Sequence, residues 1–181
     1  MSESDRLHWD GSYARRESAS ADAVAVPTVF AGHVDEFPTT GRALEVACGQ
    51  GVTSVWLARR GLQVWGTDIS SVAIGGARNL AERCQVHDRC RFSVVDLDTG
   101  LPPSEPMNLI VCHRFRAPHL YSAMVERLAP GGLLAISVLS EVGVGPGTYR
   151  APPGELSLAF ADLDLIDEGE GDGIAWLMAR R

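Results

Sequence analysis

Short apolar runs separated by mixed segments set the rhythm of this chain. Five of them, Arg42–Ala47, Gln63–Asp68, Arg91–Asp96, Asn108–His113 and Leu133–Val138, span six residues each. Near-continuous apolar runs of that length predict strands of a parallel sheet covered on both faces. The segments between them carry helical spacing. "VTSVWLARRG" fits a helix closed by Gly61. Ser70 is placed to cap a second helix that carries Ala73, Ala77, Leu80 and Cys84 along one side. Gly75 and Gly76 inside it cost about 1 kcal/mol each relative to alanine. A third helix, from Pro118 to Ala129, spaces Leu120, Met124 and Leu128 four residues apart and is stopped by Pro130-Gly131-Gly132. This β-α-β-α alternation predicts a doubly wound α/β sheet.

The last residues depart from that pattern. "LDLIDEGEGDGIAWLMARR" reads as two strands, Leu163–Glu168 and Ile174–Ala179, joined by an acidic, glycine-rich turn. So short a link permits only an antiparallel hairpin. A short helix near Glu155–Ala161 is expected before it. At the other end, residues 1 to 20 are polar with Trp9 and Tyr13 among them, and Ala21–Phe37 reads as helical up to Pro38.

Composition narrows the function. The chain has 181 residues, long enough to bury a substantial core and most simply one domain. The net charge of −7 argues against a nucleic-acid surface. All 16 basic residues are arginine, and the absence of lysine excludes Gly-Lys phosphate loops, Schiff-base chemistry and kinase-type catalysis. Cysteines stand at 48, 84, 90 and 112 without a Cys-x-x-Cys pair, so reduced, mostly buried thiols are expected and no metal site. No apolar run reaches the roughly 20 residues of a membrane span, and no leader is visible, so a cytoplasmic location is expected.

The candidate chemistry gathers at the strand ends, where open α/β sheets bind ligands. "ALEVACGQG" brings Glu45 to a small-residue loop in which Gly49 and Gly51 allow a close backbone approach or a tight turn. Glu45 is an awkward neighbour for a pyrophosphate and suits a ligand carrying positive charge. Asp68 ends the second strand, where a carboxylate can accept from a ribose diol, or can serve the start of the helix after Ser70. Asp96 in "VVDLD" can accept from an adenine amino group while Val95 or Leu97 covers the ring, or can be a solvated turn residue. His113, Arg114 and Phe115 follow the fourth strand and face the reactive end of any cofactor. The histidine is either a base or a shaping, hydrogen-bonding residue, and Arg114 and Arg116 either hold an anionic substrate or are solvated.

Together these segments resemble the class I S-adenosylmethionine-dependent methyltransferases. "LEVACGQG" is similar to their first motif, "WGTDIS" to the acidic end of their second strand, and "VVDLD" to the adenine-contacting acid. "LAPGGLLAIS" resembles their Pro-Gly-Gly turn into the fifth strand, and the terminal hairpin their reversed seventh strand. "HWDGSYARR", "CHRFRAPHL" and "PPGELSLAF" resemble the short tellurite-resistance-type branch. Two departures stand out: Asn108 where the family often has Asp, and Ala47 in place of the first motif glycine, as is frequent in that branch.

The resemblance implies a seven-stranded, mostly parallel Rossmann-like sheet in a single domain, residues 1–181. Residues 1–40 would form an N-terminal lid or helical segment, and 41–181 the cofactor-binding core. It implies Glu45 near the methionine amino group and the backbone of Ala47, Cys48, Gly49 and Gly51 against the methionine and ribose. Asp68 and Ile69 would lie at the ribose, Asp96 and Leu97 at the adenine, and His113 beside the cofactor as the candidate catalytic group. Trp9, Tyr13, Arg114 and Phe115 would cover the substrate. The expected reaction is methyl transfer to a small-molecule O, S, N or metalloid-oxyanion acceptor by a monomer or homodimer, leaving S-adenosylhomocysteine. A catalytically silent cofactor-binding sensor or partner subunit is the first alternative, and an NAD-dependent oxidoreductase the second.

Overall fold

Seven strands build one sheet in the order β3-β2-β1-β4-β5-β7-β6 in the computed structural model, which describes residues 3–181. The strands are β1 Arg42–Val46, β2 Gln63–Asp68, β3 Cys90–Val94, β4 Met107–His113, β5 Leu128–Leu139, β6 Asp164–Gly171 and β7 Ile174–Arg180. β1 to β5 run parallel; β7 enters between β5 and β6 and is antiparallel to both. The order reverses between β1 and β4, so a crevice opens above their carboxyl ends.

Among the described residues, five α-helices accompany the sheet: α1 Glu3–Ala14, α2 Val52–Arg59, α3 Ser71–Arg83, α4 Tyr121–Arg127 and α5 Glu155–Ala159. α3 keeps its helical course through Gly75 and Gly76 because Ala73, Ile74, Ala77, Leu80 and Ala81 bury one side. Ser70 caps it, accepting from the Ala73 amide at 3.1 Å. Two apolar layers cover the sheet. One centres on Leu44, Ile110, Leu134, Met124 and Leu156, the other on Leu57, Val64, Leu109, Ala135 and Phe30.

Several elements differ from the sequence reading, each for a local reason. Residues 21–37 form only 3-10 turns, Ala21–Ala23 and Thr28–Glu36, separated around Pro27 and kinked at His33. Their apolar residues still dock, with Phe30 and Phe37 buried on the sheet. The expected helix from Pro118 begins as a 3-10 turn, and α4 stops at Arg127 because Leu128 already pairs with Met107. The Pro130-Gly131-Gly132 turn is therefore absorbed into an irregular start of β5. A Cβ on Gly132 would lie 2.9 Å from the Met107 carbonyl oxygen. β3 ends at Val94, releasing Asp96 into a turn. Among the described residues, no helix is long and apolar enough to cross a membrane.

Candidate functional site

A cavity of about 930 Å³ lies over the carboxyl ends of β1, β2 and β4. Its floor begins with Glu45, which is 4% exposed and accepts a short hydrogen bond from the Ser54 hydroxyl of α2. Burial pushes its carboxyl up to about 7, although hydrogen bonds from Ser54 and Thr53 pull the other way. A carboxylate in that setting is stabilised by a nearby positive charge.

The loop after β1 is a run of left-handed residues. Ala47, Gly49 and Gly51 have φ of 55°, 54° and 76°. Backbone bonds from Cys48 N–H to Thr67 O (2.8 Å) and Gly51 N–H to Cys48 O (3.0 Å) fix the turn. The two glycines serve different neighbours. A Cβ on Gly51 would stand 2.8 Å from the Ala77 Cβ, so this glycine lets α3 pack against the loop. A Cβ on Gly49 would stand 2.7 Å from the Tyr13 hydroxyl, at the cavity wall. Cys48 contributes backbone; burial holds its thiol well above the ordinary range.

Asp68 joins the loop to β2. Its Oδ2 accepts from Gly49 N–H at 2.8 Å and its Oδ1 from Ser70 N–H at 2.9 Å. Burial raises its pKa, and these backbone donors oppose the rise. Ile69, 6% exposed, continues the wall.

α1 forms the roof. Trp9 and Tyr13 line the cavity with ring centroids 6.1 Å apart, and burial pushes the Tyr13 phenol up to about 12. The helix is fastened to the start of α3 by Asp10, whose Oδ1 accepts from the Ser70 hydroxyl at 2.7 Å and from Val72 N–H at 3.3 Å. Sequence reading missed Asp10. The signal was its place three residues before Tyr13, on the same side of a helix.

On the opposite wall stand His113, Arg114 and Phe115. His113 Nδ1 lies 2.6 Å from the hydroxyl of Ser137, which is fully buried in β5. Burial, aided by the neighbouring Arg114 charge, brings the imidazole down to about 4, so the ring is neutral at pH 7. Arg114 adopts a left-handed φ of 57°, with its N–H bonded to Ser137 O at 2.8 Å. Arg116 does not line the cavity; partly exposed, its guanidinium is paired. It grips Glu155 with Nε 2.9 Å from Oε1, and Tyr121 donates to the same carboxylate. It is a strut between the end of β4 and α5.

The cavity thus brings together most of the residues singled out in the sequence; Gly51, Asp96 and Leu97 lie outside its lining. Asp96 accepts from Asp98 N–H at 3.0 Å, and the Leu97 side chain is fully buried in the core. The lining also includes Arg16 and the apolar stretch from Val26 to Val29, which no motif announced.

Known proteins share this fold. Residues 43–132 match the model of a methyltransferase domain. The ubiquinone biosynthesis O-methyltransferase of Psychrobacter cryohalolentis is 26% identical over 176 residues, 92% of this chain and 62% of that protein. The chain spans only 37% and 62% of the length of two curated relatives that it matches over most of its own length. Among solved structures, TehB from Haemophilus influenzae aligns over 97% of this chain and 66% of its own, with a TM-score of 0.71 at 18% identity. The magnesium protoporphyrin IX methyltransferase of Synechocystis, solved with bound S-adenosylmethionine, aligns over 98% of this chain and 95% of its own, with a TM-score of 0.71 at 20% identity. These two likenesses speak for the fold, while the domain match covers the loop, Asp68 and the strand ends that build the floor. Residues 43–132 of the chain are thus a methyltransferase domain, and its fold is the one shared by TehB and the S-adenosylmethionine-binding magnesium protoporphyrin IX methyltransferase.

Proposed function

We propose that this chain methylates a small-molecule acceptor held in the outer half of the cavity, above a cofactor seated on the strand-end floor. The observation that carries this reading is the division of the cavity into two chemistries. Its floor is polar and acidic, with Glu45, Asp68 and the backbone of residues 47–50. Its other walls are mainly apolar, with Val26, Pro27, Val29, Phe115, Leu139 and Ile174, and carry Arg16, Thr28 and Arg114 as their polar groups. A volume of about 930 Å³ is near the upper end for a single drug-sized ligand.

The floor fits S-adenosylmethionine. The buried Glu45 suits a ligand with a cationic amino group. Each Asp68 oxygen accepts one backbone N–H, which leaves lone pairs for the ribose hydroxyls. Asp96 and Leu97 are assigned to the adenine on their place beside that floor, where Val95 N–H bonds Asp68 O at 2.9 Å. The cofactor supplies a methyl group already activated on a sulfonium. The chain's own residues then have to bind, orient and exclude water. Trp9 and Tyr13 do the last by covering the floor, and His113 serves to orient because its neutral imidazole binds a proton too weakly to act as the base at pH 7.

Incubation with methyl-labelled cofactor and a fractionated cell extract tests the reading. Label is expected in the low-molecular-weight fraction. Label confined to protein or nucleic acid would refute a small-molecule acceptor. Calorimetric binding of S-adenosylhomocysteine with no transfer to any fraction would favour the catalytically silent alternative.

A further inference from the structure

The acceptor-facing wall carries a proton whose position the packing decides. Ser137 is fully buried, and its hydroxyl oxygen accepts the Arg114 N–H at 3.3 Å. Among the described residues, the hydroxyl proton has one acceptor bonded to it, His113 Nδ1 at 2.6 Å. A buried hydroxyl donates where it can. Nδ1 therefore accepts, and the ring's own proton sits on Nε2. Phe30 meets the imidazole edge-on with centroids 6.5 Å apart, which holds the ring plane. Nε2, on the opposite edge, bonds no described group and is not sealed from solvent, which leaves it open to the cavity. His113 presents an N–H donor there.

Beside it stands Arg114, which lines the same cavity and whose guanidinium bonds no acceptor among the described residues. Its left-handed backbone is pinned by the Ser137 carbonyl. A neutral N–H and a guanidinium lining one cavity match a carboxylate. Apart from Arg16 and Thr28, the remaining wall is apolar. Of the other ionisable groups lining the cavity, Tyr13 and Cys48 hold their protons, and the two carboxylates, Glu45 and Asp68, sit on the floor against Ser54 and the loop amides. A carboxylate acceptor arrives deprotonated at neutral pH and needs no proton acceptor.

Resting on the small-molecule reading above, we propose that the acceptor is an apolar organic acid methylated on its carboxylate, which His113 Nε2–H and Arg114 hold at the inner end of the apolar wall. A lone pair of the free carboxylate oxygen forms the new O–CH₃ bond as the S–CH₃ bond breaks. The electron pair of that bond stays on sulfur, giving a neutral thioether and an ester, and no proton is released.

Octanoate, phenylacetate and cinnamate, each paired with its alcohol and amide, test the class with labelled cofactor. Methyl esters are expected and the alcohols and amides stay unlabelled. Transfer to alcohols or amides overturns the proposal. So does the absence of any ester while S-adenosylhomocysteine still binds, an outcome that leaves the methyltransferase reading standing. Loss of S-adenosylhomocysteine binding in the unmodified protein would instead sink that reading. His113→Gln, which retains an N–H donor and cannot act as a base, should form esters within about tenfold of the parent. His113→Phe should lose roughly ten- to a hundredfold. Equal losses in both variants overturn the donor role. Nitrogen NMR of the parent reads the tautomer directly: a proton on Nε2 is expected, and a proton on Nδ1 overturns the argument without any need for activity. Ser137→Ala should shift that spectrum toward mixed tautomers and weaken ester formation in step.

Discussion

Each oxygen of the Asp68 carboxylate holds one backbone N–H, from Gly49 or from Ser70, before any ligand is considered. Asp68→Ala should accordingly show two effects. Calorimetry is expected to report S-adenosylhomocysteine binding weakened about ten- to a hundredfold, since bonds to a charged group are worth roughly 1.5–3 kcal/mol. Urea unfolding should show a separate loss of about 1–3 kcal/mol from the orphaned loop donors. Asp68→Asn, with one acceptor left, should fall between. A 2′-deoxyribose analogue should be penalised in the parent and much less in Asp68→Ala; equal penalties would remove Asp68 from the ribose. Glu45 gives a pH test. Burial raises its carboxyl from 4.5 to about 7, so the folded chain holds that proton more tightly than the unfolded one. The associated stability is complete below about pH 4.5 and is lost as the pH rises to about 7. Across that window the parent should lose roughly 2–4 kcal/mol relative to Glu45→Gln, read by urea unfolding at each pH. Parallel curves for the two proteins would show that the burial argument is wrong.

Elements explain what could be read in advance. The central parallel strands announced themselves because a strand covered on both faces is largely apolar, as "ALEV" and "LIVC" are. Gln63–Asp68 fell on the observed limits, and Ser70 capped its helix as expected. The segment 21–37 misled because a row of spaced apolar residues looks the same whether it docks as a helix or as 3-10 turns. Pro27 and the kink at His33 decided in favour of turns. The start of β5 was hidden for another reason: Leu128 joins the sheet only because Met107 is there to pair with it. The Asp10–Ser70 contact, 60 residues apart in sequence, was invisible for the same reason. It leads to a prediction at this scale. Asp10→Ala should cost no more than about 1–3 kcal/mol of core stability, because the buried group it leaves without an acceptor is a single hydroxyl, that of Ser70. Amide exchange in residues 3–14 should nevertheless become markedly faster, because α1 loses its fastening to α3. Unchanged exchange would mean that Trp9 and Tyr13 alone hold the roof. Ser70→Ala removes both the cap and the fastening, and should cost about 1 kcal/mol more.

At the scale of the molecule, the cavity draws on residues from α1, β1, β2, β4 and the turns between them, so a ligand bound there ties distant segments together. S-adenosylhomocysteine at a hundred times its dissociation constant should add about 2.7 kcal/mol of stability, equivalent to a rise in Tm of roughly 5–11 °C for a chain of this size. NAD at the same concentration should leave Tm where it was. Sheet order carries a further consequence, for the chain's birth. β7 follows β6 in synthesis yet lies inside it, filling the place between β6 and β5. Until residues 174–180 have left the ribosome, β5 has no neighbour on that side, and β6 has no sheet to join. A nascent chain halted before Ile174 therefore displays a long hydrogen-bonding edge flanked by Leu133, Leu134, Ile136 and Val138, all destined for full burial. Folding of this sheet is completed from its last strand, and the interval before that strand appears is when the chain most needs shelter from its own kind.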